Sequence, residues 1–439
     1  MRLALQIHPH DVRDEGAEQV VRNVVERAGI RLIAPETGTL EERHPYPKGE
    51  LPHNPRRRVT TTEATLEVPL PAESFGGLPV RPRLSAAAQS GEDYLTDLRR
   101  AAEPAGVAVV PWVKALNGAF AGEPEAVCVR TLDGQPVPTW LCPNRKETEE
   151  YVFRLVTGIL ARHPAQAVLL DRLRYPDWSG AQVAPERMLT CFCDCCQERM
   201  AQAGINVEEV RAALGQVRSG LGTGECPAAL PPEPVNVIEQ WLKFRRVSIT
   251  KLAERLGRRL RSWCQAHGSG TRYWLNLWPP SFAGFLGQDY AALGKVCDGA
   301  KHFPYHRLGG GADLEGLVTA LSGTADPGAQ ERVFGLIQRA LGFPYAQDFA
   351  QFKAEGLPLG FVARETAAAK RAFGRTEIFT GIQVWDTPTE EIARTVRAAL
   401  EGSADGLFFY CYGWATLEAL DAIGDVVRSL GLESAEHEC

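Results

Sequence analysis

The strongest constraint on the fold is a recurrence: eight short strings of β-branched and aliphatic residues, each separated from the next by helical sequence. They fall at residues 2–8 (RLALQIH), 31–35 (RLIAP), 107–113 (VAVVPWV), 166–171 (QAVLLD), 272–278 (RYWLNLW), 298–305, 378–385 (IFTGIQVW) and 406–412 (GLFFYCY). None shows the polar/apolar alternation of a strand with one wet face, so each reads as a parallel strand buried on both faces. Amphipathic helices are expected around 17–28, 91–104, 145–162, 235–266, 389–401 and 415–430. Eight strands alternating with helices predict an α/β fold, either a (β/α)8 TIM barrel or an open doubly wound sheet. No GxGxxG follows the first strand, which argues against the dinucleotide-binding sheet and leaves the barrel.

One barrel with long loops accounts for all 439 residues. Two stretches break the rhythm. Residues 37–88 are rich in proline and arginine and include one alternating run, RVTTTEATLEV, that suits a hairpin or a small strand pair. Residues 177–234 carry a cysteine cluster and then a Gly/Pro-rich passage, GTGECPAALPPEP. Both follow barrel strands, so both belong on the C-terminal face, where loops build active sites.

Composition excludes several classes. A net charge of −6 gives no electrostatic reason to bind nucleic acid. No apolar run is long enough to span a bilayer. The opening MRLALQIHPHDVRDEG lacks a small-residue cleavage site and reads as a core strand, so a cytoplasmic location is expected.

In a barrel, candidate chemistry is read off the strand ends. The first strand ends in His8-Pro9-His10-Asp11, the second in Glu36, the third in Trp112, Lys114 and Asn117, and the fourth in Asp171, Arg172, Arg174 and Tyr175. The fifth offers Asn276 and Trp278, and the sixth Lys301, His302, Tyr305 and His306. The seventh offers Gln383, Trp385 and Asp386, and the eighth Tyr410, Tyr412 and Trp414. Aromatic rings stack on apolar sugar faces, amides and charges hold hydroxyls, and glycosidic cleavage needs two carboxyl groups. No phosphate cradle or activated serine competes, and no organic cofactor is expected.

The stretch LCPNRKETEEYVFRLVTGIL…AVLLDRLRYP resembles uncharacterised bacterial glycoside-hydrolase-like barrels, in which a CP-N-P turn opens a helix leading to a GIHLDYIRYP strand. The similarity continues through CFCDCCQERM, Trp241 to Arg245, Cys297-Asp298…Pro304-Tyr305-His306 and DGLFFYCYG, covering roughly residues 100–415. It implies a glycoside or oligosaccharide substrate. The chain departs from the pattern at Arg172 and Arg174, where tyrosine or aspartate often stands.

Asp171 is the first candidate for a catalytic carboxylate, as nucleophile or acid; the structural alternative is an ion pair with Arg172 or Arg174. Its partner is Asp386 or, second, Glu36. Asp386 precedes Thr387-Pro388-Thr389-Glu390, a capping box in which Thr387 would cap the helix and leave Asp386 to the cleft. Asp298 is expected to start the sixth strand, at the structural end. Trp112, Lys114, Arg174, Tyr175, Asn276, Trp278, Lys301, Tyr305, His306, Gln383 and Tyr410 are the substrate-binding candidates. The carboxyl separation decides stereochemistry: about 5–5.5 Å retains and about 6.5–9.5 Å inverts.

Of eleven cysteines, four lie within six residues, Cys191, Cys193, Cys195 and Cys196. CxCxxC at 191, 193 and 196 can bring three thiolates to one tetrahedral ion, with Cys142 or Cys195 as the fourth ligand. One distant cysteine followed by CxCxxC resembles the zinc cluster of family 42 β-galactosidases, which implies a structural zinc that braces a loop. Two other functions compete. His8-Pro9-His10 could begin the metal site of an amidohydrolase-type barrel, which would also need histidines on strands five and six and an aspartate on strand eight. A barrel with one carboxylate would be a carbohydrate-binding protein without catalysis.

Overall fold

The computed structural model describes residues 1–39, 50–51, 54–58, 64–178, 184–220, 232–307 and 314–432. Eight parallel strands form the centre: β1 (Arg2–Ile7), β2 (Leu32–Pro35), β3 (Ala108–Val109 with Trp112–Lys114), β4 (Ala167–Asp171), β5 (Arg272–Leu277), β6 (Gly299–His302), β7 (Glu377–Gln383) and β8 (Gly406–Tyr410). Each lies within three residues of its expected limits. The third differs in kind, because it comes in two pieces. Pro111 has no N–H to give the ladder, so the chain kinks there. The first piece pairs with β2 (Leu32↔Ala108) and the second with β4 (Leu169↔Trp112, Asp171↔Lys114). Val110 N–H reaches Ile33 O at 2.9 Å, and Thr37 N–H reaches Trp112 O at 2.9 Å, which carries the ladder across the kink. With β1 paired to β8, the sheet closes on itself.

Alternation along the strands sorts side chains into two cores. Outward-facing Leu3, Leu5, Ile33, Leu170, Leu275, Ile378 and Leu407 pack under the helices. Inward-facing Ala4, Leu32, Ala34, Val110, Trp112, Ala167, Leu169, Trp274, Phe379 and Phe408 fill the barrel with a separate plug. Trp274 and Phe379 meet edge to face at 5.0 Å, and Gly299 leaves room for the indole, since a Cβ there would lie 3.1 Å from Trp274 Cδ1.

The expected helices are present at Ala17–Arg22, continuing as a π-turn to Arg27, and at Tyr94–Ala102, Lys146–Arg162, Pro232–Ala266, Thr389–Glu401 and Leu417–Ser429. Thr389–Glu401 turns Ile392, Thr395, Val396 and Ala399 inward, the three-and-four spacing of an amphipathic helix. Its start corrects an expectation: Pro388 is the cap residue, no side chain caps, and the Thr387 hydroxyl donates to Trp385 O at 3.0 Å. Further helices, unforeseen, occupy Asp194–Gln202, Val207–Gly220, Leu314–Ser322, Pro327–Ala340, Phe349–Glu355 and Gly360–Phe373.

In the first insertion, Gly38–Thr39 pairs with Thr65–Leu66 and Glu50–Leu51 with Asn54–Arg58, all antiparallel. Residues 59–63 of the alternating run and 221–231 of the Gly/Pro-rich passage lie outside the described residues. Among the described residues, no helix is long and apolar enough to cross a membrane. Phe379→Ala should remove the middle of the barrel plug and cost about 3–5 kcal/mol. A lower urea midpoint at unchanged slope would show it.

Candidate active site

Directly above the plug, toward the C-terminal ends of the strands, the inward positions change character. They are Gln6, Glu36, Lys114, Asp171, Asn276, Lys301, Gln383 and Tyr410, each buried or nearly so. Strand register sets neighbours around this ring: Asp171 beside Lys114, Asn276 beside Lys301, and Gln383 beside Tyr410. Polar groups in a barrel wall must be paired or serve a ligand.

Asp171 ends β4. The next residue, Arg172, takes a left-handed conformation (φ 56°), which folds its N–H back onto Asp171 Oδ1 at 2.6 Å. Arg174 donates to the same oxygen at 3.0 Å, and Trp112 Nε1 donates to Oδ2 at 3.0 Å. Burial alone would raise this carboxyl, but Arg174, then Lys114 and Arg172, outweigh it and hold it at about 2. Arg174 also donates to Asp177 Oδ2 at 2.7 Å, so one guanidinium serves two buried carboxylates. Trp140 and Trp278 flank it, with ring centroids 5.7 and 5.8 Å away.

Glu36, on the far side of Lys114, forms an ion pair with Lys114 Nζ at 2.7 Å and stands 3.4 Å from His8 Nε2. His8 and His10 stack at 5.2 Å, and His8 N–H donates to Asp11 Oδ2 at 2.8 Å, closing the first turn of the helix Pro9–Glu15. The ligand atoms of His8, His10 and Asp11 lie within 4.8 Å of one another, close enough to share a cation. The histidines of the sixth strand do not join them. His302 points into the helix layer, where Nε2 meets Thr380 Oγ1 at 3.2 Å and burial lowers its ring to about 3. His306 meets Glu391 at 2.6 Å.

Lys301 rises from β6 into the ring. Its Nζ donates to Tyr305 Oη at 2.9 Å, and Tyr305 stacks on Tyr410 at 5.5 Å. Asp386 follows β7 in a left-handed conformation (φ 48°) and is exposed. Its partial enclosure raises the carboxyl above its ordinary value, with Arg307 opposing. Gln383 is spent on the loops: Oε1 accepts from Arg307 N–H at 3.2 Å, and Nε2 donates to Trp385 O at 3.2 Å.

Of the expected site residues the ring therefore gathers Glu36, Lys114, Asp171, Asn276, Lys301, Gln383 and Tyr410, with Trp112 reaching up from the plug and Arg174, Trp278 and Tyr305 packed around it. Tyr175 lies elsewhere, its ring under Arg245 (4.3 Å) and its hydroxyl toward Asn144. Asn117 accepts from Ala119 N–H at 3.1 Å, a turn contact. Asp298 sits at the opposite end as expected, accepting Tyr273 N–H at 2.8 Å. Two members went unforeseen. Gln6 follows from counting alternate residues between Ala4 and His8, and Asp177 from its spacing three residues after Arg174. An open groove of about 670 Å³, lined by Arg261, Arg272, Asp298 and Glu377, lies on the N-terminal face, at the end that stabilises barrels.

Cys142, Cys191, Cys193 and Cys196 converge in a buried group whose sulfurs all lie within 4.8 Å of one another. Cys142 Sγ is 3.5 Å from Cys196, 3.6 Å from Cys193 and 3.9 Å from Cys191, too far for disulfides. Four sulfurs about 2.3 Å from one ion at tetrahedral corners stand about 3.8 Å apart, so the group could hold a metal. Arg130 N–H and Asn144 Nδ2 point at its sulfurs, from 3.4 and 3.2 Å. Cys195 turns away to Asn144 O, at 3.2 Å.

Among solved structures, the chain is similar to the PgaB (BpsB) glycoside hydrolase domain from Bordetella bronchiseptica, with 13% identity and a TM-score of 0.53, over 100% of this chain and 99% of that one. It is also similar to a β-galactosidase from the psychrophilic Marinomonas ef1, with 11% identity and a TM-score of 0.55, over 98% of this chain and 60% of that one. These likenesses establish the barrel fold. No family model matches the chain, and no curated protein sequence does.

Asp171 ionises in the folded protein at about 2, below the ordinary value of about 3.9. It therefore stabilises the fold above about pH 4, and that contribution is lost as the pH falls through about 2. Relative to Asp171→Asn, the wild type should lose about 2 kcal/mol between pH 6 and pH 2, read from urea midpoints.

Proposed function

We propose that the protein hydrolyses or transfers a glycosidic bond at the C-terminal mouth of the barrel, with Asp171 as the ionised carboxylate. The observation that carries this reading is the environment of Asp171: a buried carboxylate in the barrel wall, held ionised by Arg174 and Lys114, with an indole N–H on its other oxygen. A group ionised at about 2 cannot serve as the resting proton donor, so its role is nucleophile, base or stabiliser of positive charge at the anomeric carbon. Asp386 complements it. Its carboxyl is raised, which suits protonation of the leaving oxygen, and two carboxyls pushed in opposite directions divide the acid and base work. Glu36, engaged by Lys114 and close to His8, would position that lysine against Asp171. The stacked Tyr305 and Tyr410 supply a flat aromatic surface suited to a pyranose. The two structures similar in fold bear the names of glycoside hydrolases, which supports the same reading.

Asp171→Asn should lower kcat on aryl glycosides by about 10³-fold or more while leaving sugar binding measurable. Asp386→Asn should spare substrates with good leaving groups and slow poor ones, as loss of an acid does. Full activity in Asp171→Asn would sink the assignment. Binding without turnover in the wild type would instead mark a carbohydrate-binding barrel.

We further propose that the four cysteines hold a structural zinc ion. Four thiolates fill its coordination, so it would brace the loop after β4 against the chain entering the helix Lys146–Arg162 and take no part in the reaction. Elemental analysis should find about one zinc per chain. Cys142→Ser or Cys196→Ser should lose the metal and lower Tm, whereas Cys195→Ser should keep it.

A further inference from the structure

The charges at the barrel mouth can be paired off one by one. Lys114 faces Glu36 at 2.7 Å, and Arg174 holds Asp171 at 3.0 Å and Asp177 at 2.7 Å. Lys301 remains. Among the described residues no carboxylate comes within ion-pair distance of it, and its ammonium donates to the neutral Tyr305 hydroxyl. Around it stand the rings of Phe303 at 5.0 Å, Tyr305 at 5.2 Å and Tyr410 at 5.6 Å. The side chain is 1% exposed, and burial pulls it down to about 7, against the opposing pull of Asp171 and Cys411 and with the repulsion of Arg174. The barrel makes room for this arrangement: a Cβ at Gly381 would lie 2.9 Å from Lys301 Cε.

An amine buried without a counter-charge gives up its proton more readily, and a ligand that brings a negative charge beside it draws the proton back. Other groups in the same ring also lack partners. Both amide atoms of Gln6 and the Oδ1 of Asn276, the register neighbour of Lys301, find none among the described residues. They are 0% and 3% exposed and occupy inward positions of the ring. A single buried lysine matches a single negative charge. A phosphate would need more, and Arg174 and Lys114 are already engaged by carboxylates.

We infer that the sugar taken at this mouth is acidic, a uronic acid residue whose carboxylate pairs with Lys301. This rests on the glycosidase reading and names its substrate class.

The test uses the full chain and two readouts. The first is turnover of paired 4-nitrophenyl glycosides, the α and β glucuronides and galacturonides against the matching glucosides and galactosides. The second is calorimetric binding of methyl uronides and methyl glycosides to Asp171→Asn, with and without Lys301→Met. The expected result is a uronide preference of about tenfold to 100-fold that Lys301→Met abolishes and Lys301→Arg partly keeps. Met matches the aliphatic stem and removes only charge, and the unfolding midpoint of each variant separates misfolding from lost recognition. Neutral glycosides turned over best, with the ratio unchanged in Lys301→Met, would overturn the acidic-sugar inference and leave the glycosidase reading standing. If no glycoside is turned over, the glycosidase reading falls. The binding arm then still decides: uronides bound more weakly on loss of Lys301 uphold the carboxylate site, and equal binding rejects it.

Discussion

An ionised carboxylate buried in the wall of a barrel has to be compensated on the spot, and much of the mouth is arranged around that need at Asp171. Arg174 reaches back three residues to it, Lys114 stands beside it in register, and the left-handed turn at Arg172 brings a backbone N–H onto it. Each compensating cation needs an anion of its own in turn, and Asp177 and Glu36 supply them. Removing one partner from such a chain leaves a buried charge exposed to its full desolvation cost, several times the worth of an exposed pair. The ring therefore behaves as one electrostatic unit across β2, β3 and β4. Lys301 feels that unit through Asp171 and Arg174 but forms no ion pair with its members among the described residues.

Much of this was legible in the sequence, and the legible part has a common cause. Strands buried on both faces must be apolar throughout, so all eight appear as continuous runs, and alternation then places Glu36, Lys114, Asp171, Asn276 and Lys301 on the inner face. Alternation loses its authority where a strand ends. Tyr175 stands four residues beyond Asp171, past the left-handed Arg172, and turns toward Arg245 and the cysteines instead of the mouth. Thr387 fails as a cap because its hydroxyl goes back to Trp385, and the helix starts after Pro388. The kink at Pro111 was in plain view as a missing donor, but the run VAVVPWV reads straight through it. Asp326-Pro327 and Asp348 open two of the unforeseen helices with their side chains on Ala329 and Gln351 N–H, which are local signals hidden among less periodic neighbours.

The solitary state of Lys301 could not be read locally. It depends on which charges from five other positions cancel one another, and that sum exists only when the strands are side by side. The cysteine group shows the opposite case. Its spacing limits the partners to a few, and the fold chooses Cys142 over Cys195 because the chain entering the helix Lys146–Arg162 passes beside the loop after β4.

The break in the third strand has one more consequence. A closed sheet is a hoop, and a hoop shares strain evenly only where its bonds are continuous. At Pro111 the hoop passes from one ladder to the next, from β2 to β4, and Trp112 is the first residue beyond the joint. The indole that touches Asp171 is thus mounted at the seam of the barrel, so the geometry of one hydrogen bond to the buried carboxylate is tied to how the two pieces of the third strand meet.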